Sequence, residues 1–89
     1  MRETIKAIVS GEHEGKSYNT LITFTLVPPG AKNYAGNGHY MDVSIMGELK
    51  RIDVRFAQTT DLSELARIWA LYYFENNVKE MQIVRQECS

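Results

Sequence analysis

The sequence predicts an α+β fold: a small antiparallel sheet of about five strands, in the order ββββαβ, with one α-helix packed on one face. Three observations carry that expectation. Four segments alternate apolar and polar residues with a period of two, the mark of half-buried strands. One later segment switches to helical spacing behind a capping motif. The connections are rich in glycine, proline and asparagine, and one weakly alternating segment follows the helix.

Thr4–Ser10, "TIKAIVS", places Ile5, Ala7 and Val9 on one face and Lys6 on the other, and reads as the first strand. The polar "GEHEGK", bounded by Gly11 and Gly15, reads as a turn, with His13 solvated among glutamates. Ser17–Val27 is the clearest strand, with Tyr18, Ile22, Phe24 and Leu26 on one face, and Pro28 and Pro29 end it. Tyr40–Met46 and Arg51–Phe56 alternate in the same way. A four-residue loop at Gly47–Lys50 would pair Ile45 with Ile52, Val43 with Val54, Met41 with Phe56 and Asp42 with Arg55. A two-residue loop at Gly47–Glu48 would instead set Asp42 against Asp53, which like-charge repulsion disfavours.

Asp61 and Glu64 have capping-box spacing. They predict a helix from Leu62 to about Asn76, stopped by Asn76 or Asn77. "VKEMQIVRQ" then reads as a final edge strand, with Met81 and Ile83 on one side. Residues 1–89 are expected to form a single domain. The initial Met and the lack of a tag lead to the expectation of a whole small gene product.

Around the helix, at about 100° per residue, Leu62, Leu65, Ala66, Trp69, Tyr72 and Tyr73 make the stripe that should cover the sheet. The opposite side carries Glu64, Arg67 and Glu75, as expected of a solvated face, but also Ile68, Leu71 and Phe74, three residues apart. Flanking a broad core stripe, Ile68 and Phe74 would leave only Leu71 exposed, which needs no explanation. A contiguous apolar patch on a small chain more often marks a contact. Ile68, Leu71 and Phe74, with Arg67 and Glu75 beside them, are therefore the expected protein interface, with a homodimer as the default partner.

The segment "GAKNYAGNGHY" follows a strand and carries the glycines of a phosphate cradle, but it leads into another strand rather than a helix. It also lacks a third glycine at nucleotide-loop spacing. Its Lys32, Asn33, Tyr34, Asn37, His39 and Tyr40 suit an adaptable recognition loop, so they form a second candidate contact surface. Arg51 and Arg55, with Tyr40, could stack and pair with a nucleotide on the sheet surface, a reading ranked below protein contact because only one aromatic falls there.

Several chemistries find no support. The chain has ten basic and eleven acidic residues and no basic run, which argues against nucleic-acid binding. The two histidines and the single cysteine, Cys88, lack metal-ligand spacing, so neither a metal nor a cofactor is expected. One cysteine permits no internal disulfide and fits a reducing compartment, and no apolar run spans a membrane, so the expected location is cytoplasmic. No acid–base or nucleophile pattern suggests an enzyme. The sequence thus predicts a non-catalytic protein-binding module. Small size alone suggests a phage or mobile-element accessory that binds a host component. The alternative is a small-ligand or nucleotide binder with its pocket at a dimer interface near residues 30–40.

Overall fold

The computed structural model describes residues 3–30 and 38–88, apart from the side chains of Arg55 and Phe56. The expected elements are present in the expected order: β1 (Glu3–His13), β2 (Lys16–Val27), β3 (Tyr40–Ile45), β4 (Glu48–Asp53), a 3-10 turn (Val54–Ala57), α1 (Leu62–Tyr73) and β5 (Glu80–Cys88). The strands form one antiparallel sheet in the order β4-β3-β2-β1-β5. β1 to β4 are a simple meander. α1 then carries the chain across the inner face from the β4 edge to the β1 side, where β5 joins.

β1 and β2 form a hairpin longer than the sequence suggests. The turn is only Glu14–Gly15, both with positive φ, and His13 already pairs with Lys16. Two left-handed residues in a two-residue loop match the right-handed twist of the strands, which is why the ladder runs to the tip. At about 3.3 Å per residue, this 12-residue strand matches the 41 Å long axis of the molecule.

The β3–β4 hairpin departs from both expected registers. Its loop is Met46–Gly47, again with positive φ at both positions, and β4 begins at Glu48 and ends at Asp53. Ile45 faces Glu48, Val43 faces Lys50, Met41 faces Ile52, and Asp42 faces Arg51 rather than Arg55. The slip relative to the expected register is an even number of residues, so each side chain keeps its face. What changes is that the inner face of β4 carries Glu48 and Lys50 as well as Ile52.

The core lies between the sheet and α1. Ile5, Ala7 and Val9 of β1, Ile22, Phe24 and Leu26 of β2, and Met41, Val43 and Ile45 of β3 are buried against Leu62, Leu65, Ala66, Trp69 and Ala70. The Trp69 ring meets Phe24 edge-on, 5.7 Å between centroids. Asp61 caps the helix by accepting from the Ser63 amide at 3.2 Å. Glu64 is not seen closing the box on Asp61. The hydroxyl of Thr59 donates to Glu64 at 3.4 Å and accepts from the Asp61 amide at 3.1 Å, so threonine bridges the two.

The helix ends at Tyr73, three residues before the expected stop. The Asn76 amide reaches the Leu71 carbonyl at 2.7 Å, and Glu75 and Asn76 both adopt positive φ, an uncoiling that turns the chain back under the hairpin tip. There the Lys79 amide donates to the Ser10 carbonyl at 2.8 Å and β5 begins. Gly11 makes this approach feasible: a Cβ there would lie 2.3 Å from the Asn77 carbonyl oxygen and 2.9 Å from the Tyr18 hydroxyl. Gly11→Ala should therefore destabilise the fold by about 1–3 kcal/mol, the usual cost of forced overpacking, measured as a lowered midpoint in chemical denaturation.

Candidate functional site

A single helix is about 10 Å across with its side chains, whereas five strands at about 4.8 Å spacing make a sheet roughly twice as wide. α1 lies over β1 and β2 and leaves a trough on either side. On the β4 side, Lys50 and Ile52 of the strand face Ile68, Trp69, Tyr72 and Tyr73 of the helix across a groove of about 490 Å³. Trp69 and Tyr73 stack with centroids 4.7 Å apart and form its apolar wall. On the β5 side, Ser63, Glu64 and Arg67 face Met81 and Ile83 across a more polar trough.

The expected interface is redistributed by this geometry. Ile68 and Leu71 are partly exposed, as a contact surface requires. Phe74 is not: it is 4 % exposed and belongs to the core. The expectation fails because Phe74 lies past the last helical residue, where 100° steps no longer apply, and the C-cap swings its ring inward. It stacks on Tyr18 with centroids 4.1 Å apart and receives His13 edge-on at 5.9 Å. Tyr72, expected in the core stripe, is 83 % exposed, and Ala70 takes the buried place instead. The exposed apolar band is therefore Ile68, Leu71 and Tyr72, continuous with the groove. Arg67 is exposed on the β5 side and Glu75 is exposed beyond the helix end.

Of the expected loop contacts, Lys32, Asn33, Tyr34 and Asn37 lie outside the described residues. His39 lines a shallow cleft with Gly38, Val54, Gln58, Thr59 and Thr60. Tyr40 is 2 % exposed, on the outer face of the sheet beside Val27, and so is covered rather than offered to a ligand. The Arg51 guanidinium lies 4.4 Å from the Tyr40 ring centroid and binds Asp42 with two hydrogen bonds, of 3.0 and 3.4 Å. Arg51 thus holds Asp42 and lies against Tyr40 within its own sheet. The Arg55 side chain is outside the described residues. The outer face instead exposes Leu21 and Leu49, and Met46 is exposed in the β3–β4 turn.

A third arrangement was not visible in the sequence. His13, expected to be solvated, is only 22 % exposed at its side chain, and its Nε2 lies 3.7 Å from a Glu14 carboxylate oxygen and 3.9 Å from one of Glu75. Its Nδ1 lies 3.4 Å from the side-chain nitrogen of Asn77. The neighbouring Tyr18 hydroxyl donates to the Asn77 carbonyl at 2.7 Å, and burial pushes its phenol up from the ordinary tyrosine value. Only the helix-ending turn brings Glu75 and Asn77 to the hairpin tip, so no local spacing announces the cluster.

The described elements thus define a small α+β protein with one helix on an antiparallel sheet and an apolar groove at the helix flank. Comparison with protein-family models, curated proteins and solved structures gives no match. No helix among the described residues is long and apolar enough to cross a membrane.

Two outcomes test this packing. Phe74→Ala should cost about 3–5 kcal/mol, as for a buried aromatic, visible in denaturant unfolding and well beyond the effect expected of a surface contact. Tyr18→Phe should cost about 1 kcal/mol at neutral pH by removing one hydrogen bond. It should also flatten the alkaline limb of the stability profile. A raised tyrosine pKa gives stability that is whole below about 10, the unfolded value, and is lost as pH climbs through the higher folded value.

Proposed function

We propose that this is a non-catalytic protein-binding module whose contact surface is the Ile68, Leu71 and Tyr72 band together with the groove beside it. The observation that carries the reading is Tyr72: a tyrosine 83 % exposed on the rim of an apolar groove. Exposed aromatics beside a pocket are typical anchors of protein contacts, where a large ring fills a hole on the partner. The neighbouring Ile68 and Ile52 add apolar area that water alone now covers.

A second copy of the chain is the preferred partner. Knob and hole sit next to each other on one face, so a two-fold axis near α1 can place each Tyr72 in the groove of the other copy, as an isologous interface demands. Action in the cytoplasm, as an accessory of a phage or mobile element that binds a host component, is supported by small size and the lone cysteine and belongs to this proposal as well. One specific feature favours a small-ligand reading instead: the groove has the volume of a ligand pocket, and the Lys50 ammonium at its edge, 3.7 Å from Glu48, suits an aromatic or acyl carboxylate.

Light scattering coupled to size exclusion separates these readings. The parent chain should run as a dimer at micromolar concentration, and Tyr72→Glu and Ile68→Glu should each shift it toward monomer by at least tenfold in dissociation constant with no change in circular dichroism. A monomeric parent chain would remove the second-copy reading. A thermal shift with aryl or acyl carboxylates, lost in Lys50→Ala, would favour the ligand reading.

A further inference from the structure

We propose that His13, Glu14 and Glu75 form a zinc-binding site that ties the β1–β2 hairpin tip to the C-terminal end of α1. The site is independent of the groove and of the reading given to it.

The donor set is suited to the ion. One imidazole nitrogen and two carboxylate oxygens all lie within 4.8 Å of one another. The observed separations from Nε2, 3.7 and 3.9 Å, exceed only slightly the roughly 3–3.5 Å between donors that share a zinc at about 2.1 Å. Both glutamate side chains are exposed, so closing that gap disturbs no packing. Three protein ligands leave the remaining positions to water, as in open zinc sites.

The imidazole is held for the purpose. Its ring packs edge-on against Phe74, which is itself stacked on Tyr18, and the Asn77 amide meets Nδ1. Nε2 is the nitrogen turned toward the carboxylates. When zinc takes Nε2, the proton moves to Nδ1, and a half-turn of the Asn77 amide presents its oxygen as acceptor. This is the outer-sphere contact that usually fixes a metal-bound histidine.

A second, separate observation favours a cation here. The negative end of a helix dipole attracts positive charge, yet the last turn of α1 has no basic side chain. Glu75 lies just past that end with Glu14 beside it, so two carboxylates crowd the pole where an anion is least favourable. A divalent ion between them relieves that repulsion and satisfies the dipole at once.

The test is a titration of chelator-treated protein with zinc chloride, followed by the ring resonances of both histidines and by thermal unfolding. The His13 ring should shift, the His39 ring should stay, and the melting temperature should rise with zinc concentration, as mass action requires. Because His13→Ala also removes a packing contact, Glu75→Gln is the second variant: it should retain the parent fold and weaken zinc binding at least tenfold. Cys88→Ser should bind as the parent does. An unmoved His13 ring at saturating zinc, unchanged affinity in Glu75→Gln, or loss of binding in Cys88→Ser would each overturn the assignment.

Discussion

The packing of one helix on a sheet too wide for it is the constraint from which the rest follows. Trp69 over Phe24 fixes α1 above β1 and β2, where the apolar strand faces are densest. Everything the helix covers there is fully buried. What it fails to cover becomes surface: beside it β4 offers Ile52 and the Lys50 side chain, and the apolar character of the groove comes from Ile52 with the helical Ile68, Trp69, Tyr72 and Tyr73. The groove is thus the unshielded margin of a core rather than a feature added to it. The same placement decides which helical residues show: Ile68 and Tyr72 overhang the β4 side, Arg67 the β5 side, and Leu71 the top.

The hairpin of β1 and β2 is the second organising element. It runs the length of the molecule, and its tip would be an unsupported ribbon without the turn that follows α1. That turn brings Phe74 under Tyr18 and His13, brings the Asn77 carbonyl to the Tyr18 hydroxyl, and starts β5 against Ser10. A cluster of three rings and a backbone clasp therefore do at the tip what Trp69 does at the centre. The cost of this tightness is a glycine at position 11, where a methyl group would strike the Asn77 backbone oxygen.

Much of this was legible in the sequence, and the failures have definite causes. Alternation located all five strands, and Asp61 located the start of the helix, because both are local signals. The β3–β4 loop was misplaced because Met46–Gly47 forms a turn through backbone twist, while methionine reads as one more strand residue. Phe74 was misplaced because helical arithmetic was carried past Tyr73, beyond which the chain is no longer helical, whereas Tyr72 sits at the margin of the apolar stripe, on the side where the narrow helix leaves the groove open. The His13 cluster was invisible, since Glu75 and Asn77 meet the hairpin only through a tertiary turn. The apolar band on the helix was readable in outline, though its third member is Tyr72 rather than Phe74.

The sheet ends in β5, nine residues of mostly exposed strand that carry Ile83 and Val84, and such a border invites stacking without limit. Its ladder with β1 is broken by the extra residue Val84, between Ile83 opposite Ala7 and Arg85 opposite Lys6. Arg85 and Glu87 pair at 2.7 Å along the same stretch. A kinked, charged rim cannot template a flat copy of itself. At the far border, β4 is six residues long and runs straight into a helical turn. Both described borders are thus blunted against the addition of strands from another chain.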